Sequence, residues 1–343
     1  EGDPSVYIAR TLFECDPHSI LEGMLISAYA SGASHGLIFI NNQYKKAIEV
    51  INTALQKMRE LGLLGENIMG TKFKFDLEIR TSAGAHIEGE ETALLNSIEG
   101  KRATTSIRPP YPTQSGLFGK PTVISNIETL SHVSAILQKG ADWYAGIGTD
   151  RSKGTKIFVL GGSVAKPGLV EAPMGTTVRQ LVYDLGGGVS NGKALKAVQV
   201  GGPLGGLVNE EDLDLSLDFE TLKGAGHIMG SGGIFVLDGS VCAVDFAKNC
   251  LQYLEKESCG KCVFCREGTL QFALILKDIS EGRGKKDDIE ILLEFGEGMK
   301  EGAFCAFGRN AANPVLSAIK YFREEYVEHI ADHKCPAGVC KIG

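Results

Sequence analysis

The 343-residue chain contains no apolar stretch long enough to cross a bilayer: runs such as residues 157–160 and 234–237 fall far short of the ~18 residues a membrane helix requires. It also lacks an excess of positive charge. Lys and Arg number 35 against 42 Asp and Glu, a net charge of −7, and no basic stripe interleaved with aromatics appears, which argues against a nucleic-acid partner. There is no internal repeat and no low-complexity tract, so a solenoid or a disordered linker is not in question. Nine cysteines are an odd number in a chain too large to need covalent staples, which argues against a disulfide framework and for a reducing, cytoplasmic compartment. What the chain does have is glycine, 44 residues of it, as tight turns and close backbone approaches to a ligand require. With 43% hydrophobic and 22% charged residues, it can bury two or three packed units.

The first part alternates helix and strand signals. Asp16 and Pro17 open a helix whose apolar face is Leu21, Met24, Leu25, Ala28 and Tyr29. A short strand follows at 36–40, a helix at 44–63, a strand at 73–79 and a helix at 91–98, which is the grammar of an α/β domain. From about Gly154 the order becomes β-β-α-β, a small α+β module, with the acidic run 209–220 read as a solvated loop. Helical patterns dominate from Val244 onward, and the cysteines cluster there.

Those cysteines carry the chemistry. Cys259, Cys262 and Cys265 are each separated by two residues, and Cys305 stands alone further on. Three closely spaced thiolates can wrap one corner of an inorganic cluster while a distant fourth closes the cage, the ligand count of a 4Fe-4S centre. Structural zinc also takes four thiolates, but usually as two Cys-x-x-Cys pairs, so three-plus-one favours the cluster. A second group, Cys335 and Cys340 with His329 or His333, has three candidate zinc ligands, and Cys242 or Cys250 offers a fourth; the spacing is irregular, and unliganded thiols are the plain alternative. Cys15 reads as a small buried residue.

A second motif runs from Gly84 through His86, Glu88, Gly89, Glu90 and Glu91 to Leu94 and joins a strand to a helix. A glycine at the turn admits a flat ring or a ribose close to the backbone, and carboxylates at a helix start can accept hydrogen bonds from hydroxyls or a carboxamide. By itself the motif is equally well explained as two acids favouring a helix dipole.

Taken in order, Glu1-Gly2-Asp3-Pro4, Gly89-Glu90-Glu91-Thr92-Ala93-Leu94, Arg108-Pro109-Pro110-Tyr111-Pro112, Asn126-Ile127-Glu128-Thr129 and the Cys259/Cys262/Cys265/Cys305 set resemble the NADH-binding flavoprotein subunit of respiratory complex I. The same subunit type occurs in NAD-linked and electron-bifurcating hydrogenases and formate dehydrogenases. The resemblance runs essentially from end to end. It implies a Rossmann-like α/β flavin and NADH domain at 1–152, a β-grasp (SLBB-type) module at 153–238, a helical 4Fe-4S domain at 239–331, and a Cys-containing tail at 332–343 leading to a ferredoxin-like domain. By the same resemblance Glu1, His86, Gly89, Glu90, Glu91, Ser125, Asn126, Thr129, Cys305 and Ala306 correspond to positions beside FMN. Glu1, Asp3, Glu91, Arg108 and Tyr111 correspond to positions beside NADH, with the tyrosine ring against adenine. Zinc in the tail group is also in keeping with it.

The implied function is hydride exchange between NADH and FMN followed by one-electron transfer to the 4Fe-4S cluster, in a subunit through which electrons enter a multi-subunit redox complex. No side chain is needed as a proton donor. Carboxylates at Glu1, Asp3 and Glu91 would repel a 2′-phosphate, which favours NAD(H) over NADP(H). The expected partners are a small 2Fe-2S thioredoxin-like or ferredoxin-like subunit and a larger multi-cluster iron–sulfur subunit, which would also make any membrane association peripheral.

Three positions depart from the family pattern. His86 replaces an aromatic residue, Glu88 a cysteine and Ser125 an asparagine, and the charge of Glu88 would disfavour an anionic flavin nearby. They motivate a rival reading, an electron relay or scaffold subunit that keeps the cluster without turning over a dinucleotide. The family's glycine-rich, Lys-containing loop for the flavin phosphate is expected upstream of Glu1.

Overall fold

The computed structural model describes residues 2–342, and the chain divides into two compact units. The first comprises residues 2–103 and 108–147; the second comprises 104–107 and 148–342. Among the described residues, no helix is long and apolar enough to cross a membrane.

In the first unit the elements are α1 (Ile8–Cys15), α2 (Pro17–Ser31), β1 (His35–Asn41), α3 (Lys45–Glu60), β2 (Asp76–Ser82), α4 (Glu91–Ile98), α5 (Ile127–Lys139) and α6 (Ala141–Ala145). Helix α2 begins where its sequence says it should: the Asp16 carboxylate accepts from the Ser19 N–H and Pro17 occupies the first turn, where a missing N–H costs nothing. Along α3, Ala47, Ile51, Ala54, Leu55 and Met58 are buried at helical spacing. Strands β1 and β2 pair in parallel, His35 opposite Asp76 through Asn41 opposite Ser82, the connection expected of a Rossmann-like α/β unit. Their faces close over Phe13, Ile20, Leu21, Ile51 and Leu77. Each such fully buried aliphatic or aromatic side chain contributes about 1.5–3 kcal/mol. Strand β2 starts later than the apolar pattern at 73–79 indicates, because Phe75 first exchanges both backbone hydrogen bonds with Gly65 and turns the approach.

The second unit holds β3 (Thr155–Gly162), β4 (Gly168–Pro173), β5 (Leu195–Val200), β6 (Gly206–Val208), α7 (Phe219–Gly224) and β7 (Gly233–Asp238), followed by α8 (Ala243–Glu257), α9 (Val263–Ser280), α10 (Asp288–Gly302), α11 (Ala306–Asn310) and α12 (Asn313–Ala331). The strands form one sheet in the order β4-β3-β7-β5-β6, parallel only between β3 and β7. The acidic run at 209–220 is more than a solvated loop. Leu213 and Leu217 are fully buried in the core of this module, and the buried Asp218 carboxylate caps α7 through the Thr221 N–H. Glu210, Glu211, Asp212 and Asp214 face outward because Leu213 and Leu217 face in. The sheet and the helices pack as one unit: the buried Ser317 hydroxyl of α12 accepts from the Leu207 N–H of β6 at 2.8 Å.

Candidate cofactor and metal sites

In the first unit, β2 delivers the chain into a tight turn, His86–Gly89, which feeds α4. The start of the chain lies against it: a Cβ at Gly2 would come within 2.4 Å of the Ala85 carbonyl oxygen and 2.8 Å of the His86 Cα. At Gly89, by contrast, nothing lies within 4 Å of where a Cβ would sit, so the backbone there is open to an approaching group.

The acids of the turn divide their work. Glu88 faces into the protein, one carboxylate oxygen accepting from Ser97 Oγ at 2.6 Å and the other from Ser82 Oγ at 2.7 Å and the Ala85 N–H. These bonds tie β2, the turn and α4 together through one carboxylate. Glu90 caps α4, accepting from the N–H groups of Thr92 and Ala93, while its other oxygen accepts from Arg108 at 2.8 Å. Arg108 also pairs with Glu91, which stays one-third exposed. The guanidinium thus holds both carboxylates in one orientation.

Among the remaining positions, Asp3 is buried and accepts from the N–H and hydroxyl of Ser5, so it holds the opening turn. Tyr111 is half exposed, its N–H donating to Gln114. Ser125, Asn126 and Thr129 are exposed at the start of α5, which Asn126 caps through the Glu128 N–H. Glu1 lies outside the described residues.

In the second unit, Cys259 lies on the loop after α8, Cys262 immediately precedes α9, Cys265 is in its first turn, and Cys305 precedes α11. Cys262, Cys265 and Cys305 are buried. Ser258 Oγ lies 3.3 Å from Cys265 Sγ, and a Cβ at Gly308 would press to 3.0 Å from the Cys265 Cβ, so only glycine leaves this wall of the site free. Burial pushes the Cys265 thiol up to about 12, so its thiolate needs a cationic centre to take the charge. Lys261, between the first two cysteines, donates to the carbonyl of buried Thr105 and ties the loop to residues 104–107. Beside buried Cys305, its neighbour Ala306 is exposed.

The tail group is drawn tighter. The ligand atoms of Cys242, His329, Cys335 and Cys340 all lie within 4.8 Å of one another. Cys242 Sγ is 3.5 Å from His329 Nε2 and 3.6 Å from Cys340 Sγ. Zn–S and Zn–N bonds of ~2.3 and ~2.05 Å in a tetrahedron put these edges at about 3.8 Å for S···S and about 3.6 Å for S···N. Of the alternatives open in the sequence, His329 and Cys242 join the group. Cys250 instead lies against Gln199, with burial holding its thiol up at about 12. Cys15, expected to be buried, is exposed and belongs to neither group.

Sequence reasoning did not find the Arg108 clamp on Glu90 and Glu91, nor the shell around the tail group, because neither carries a local spacing signal.

Comparison with known proteins agrees with this geometry. Residues 1–135 match the Nuo51 FMN-binding domain, 156–208 the SLBB domain, and 245–329 the NADH-ubiquinone oxidoreductase-F iron-sulfur binding region. The chain is 46% identical over 340 residues to the NADP-reducing hydrogenase subunit HndC of Solidesulfovibrio fructosivorans, covering 99% of this chain and 69% of that one. It is 43% identical over 336 residues to an F-type NADH-quinone oxidoreductase subunit of Rhizobium meliloti, covering 98% and 80%. Among solved structures, an NAD+-reducing [NiFe]-hydrogenase in the H2-reduced state superimposes with a TM-score of 0.87 at 33% identity, over 98% of this chain. The chain spans 56% of the length of that hydrogenase chain.

Proposed function

Because the chain belongs to the family of NADH/FMN- and 4Fe-4S-binding subunits of complex I-type and hydrogenase-type electron-input modules, we propose that it is the subunit through which NAD(H) exchanges electrons with a multi-subunit redox complex. Hydride exchange with FMN would occur on the first unit, and single electrons would pass through Cys259, Cys262, Cys265 and Cys305 in the second. The observation that carries the reading is the Gly89 opening beside a turn whose acids are already oriented. Bound FMN would supply the two-electron to one-electron conversion, and the cluster a one-electron acceptor.

The protein's part is positioning and charge. Gly89 leaves room for a ring against the backbone, and Arg108 holds Glu91 one-third exposed, ready to accept from a ribose hydroxyl or a carboxamide. Glu88, turned toward Ser82 and Ser97, braces the turn from its protein side. Around the cluster residues, burial and the Ser258 hydroxyl beside Cys265 are the levers on potential. No side chain is assigned as proton donor.

The tail group, in this reading, holds a zinc ion: a Cys3His donor set with edges of 3.5 and 3.6 Å supports a closed structural site. The partners would be a small 2Fe-2S thioredoxin-like or ferredoxin-like subunit and a larger multi-cluster subunit. Exposed Val263, Phe264 and Phe304, adjacent in sequence to Cys262 and Cys305, support a docking face beside the cluster.

Anaerobic titration with NADH, following flavin bleaching and the reduced-cluster EPR signal, tests the proposal. Since one relative is named as NADP-reducing, NADPH is the necessary control. Bleaching with cluster reduction by NADH is expected. Absence of both, with the cluster loaded and FMN added, would leave the relay or scaffold reading.

A further inference from the structure

The geometry assigns Lys196 and Glu325 as positioning residues for the Cys242/His329/Cys335/Cys340 site, an inference that rests on that group holding zinc. Lys196 lies on β5 and Glu325 on α12, and their side chains, 11% and 17% exposed, form an ion pair. Each also grips the backbone beside Cys242. The Lys196 ammonium donates to the carbonyl of Val241, the residue before the ligand, at 2.5 Å. The Glu325 carboxylate accepts from the N–H of Ala243, the residue after it, at 2.9 Å. The two peptide groups that flank one metal ligand are therefore held by a single ion pair.

The same pair reaches a second ligand. The Glu325 backbone carbonyl lies 2.6 Å from His329 Nδ1, which makes Nδ1 the donor and leaves Nε2, 3.5 Å from Cys242 Sγ, free to bind metal. His329 is fully buried, so its ring has little freedom to turn by itself. Helix α12 departs from helical geometry at Phe322 (φ −133°, ψ 34°), one turn before Glu325, and the Lys196 ammonium sits 5.1 Å from the centre of the Phe322 ring. Lys196 thus contacts the break in α12, the acid beyond it and the start of α8. The β-grasp sheet, through one side chain, sets the separation of the helices that carry Cys242 and His329.

Charge strengthens the case. Three thiolates and a neutral histidine on Zn²⁺ leave a net −1, and a largely enclosed Glu325 without Lys196 would add a second unneutralised negative charge close by. Loss of Lys196 should therefore weaken the site more than loss of the Glu325 charge.

The test uses the full chain with its cluster loaded. Zinc per chain is measured first for the wild type and for Cys242→Ala, and zinc affinity is then measured by chelator competition in Lys196→Met, Glu325→Gln and the exposed control Arg323→Ala. The ligand-field bands of the Co²⁺-substituted site report its geometry. One zinc in the wild type and none in Cys242→Ala, with affinity reduced about 10–100-fold in Lys196→Met and less in Glu325→Gln, supports the assignment. The Co²⁺ bands should shift, while the cluster EPR signal and Arg323→Ala stay at wild-type values. Zinc in the wild type with unchanged affinity in both variants overturns the positioning role alone. A zinc-free wild type overturns the zinc reading and this inference with it. Should Lys196→Met not fold, Glu325→Gln, which keeps an acceptor for Ala243, decides the matter: unchanged affinity there overturns the assignment.

Discussion

Cys259, Cys262 and Cys265 share one loop and the first turn of α9, and only Cys305 arrives from elsewhere, whereas Cys242, His329, Cys335 and Cys340 come from the start of α8, the end of α12 and the tail beyond it. The first group is set mainly by local chain geometry, the second by how elements pack. A site of the first kind tolerates small movements between helices. One of the second kind reports on them, and a metal bound there adds its binding free energy to the packing that brings its ligands together.

The largest effects should separate the two groups completely. Cys305→Ala is expected to abolish the reduced-cluster EPR signal and leave zinc content unchanged, and Cys242→Ala to remove zinc and leave the signal; metal analysis with low-temperature EPR on both variants checks this. Loss of both metals in either variant would break the distinction.

Next in size is Asp238, the end of β7, just before the first ligand of the packed group. It is buried and accepts from Ser240, Lys193 and Ser163, which together hold its carboxyl well below the usual carboxylate range. Asp238→Asn should lower the unfolding free energy by about 2 kcal/mol, the scale for losing hydrogen bonds to a buried charged group whose Lys193 partner is itself half exposed. Since the folded pKa lies below the unfolded one, this stabilisation is complete above pH ~4 and declines as the pH falls further. The denaturation midpoints of variant and wild type should therefore differ constantly near neutrality and converge in acid.

Arg108 lies in the other unit and should touch neither cysteine group. Arg108→Ala frees Glu90 and Glu91 and is expected to raise the KM for NADH about tenfold, about 1.4 kcal/mol, with the cluster signal unchanged. Smallest of all is Arg323→Ala: its pair with Glu290 is exposed and should shift stability by less than about 0.5 kcal/mol in a thermal melt.

Much of the fold could be read locally. The Asp16–Pro17 start of α2, the strand at 36–40 and the apolar stripe of α3 follow from capping, alternation and helical period, which act over a few residues. Strand β2 and the acidic run at 209–220 were legible only in part, because Gly65 and the buried leucines act across the fold. Glu88 shows the same limit from the other side. Its charge is plain in the sequence, but Ser82 and Ser97 decide that it points inward.

The sequence by itself determined that Cys259, Cys262 and Cys265 sit together, since Cys-x-x-Cys-x-x-Cys confines three thiolates to one loop and the first turn of a helix whatever surrounds it, and it determined the α/β pattern of the first unit. Only the tertiary structure decided between His329 and His333 and between Cys242 and Cys250, bound Arg108 to the Glu90–Glu91 turn, and placed the Lys196–Glu325 pair on both sides of Cys242. Spacing along the chain constrains residues within a turn or two of each other. Groups far apart in sequence meet only where burial of apolar faces fixes the elements that carry them.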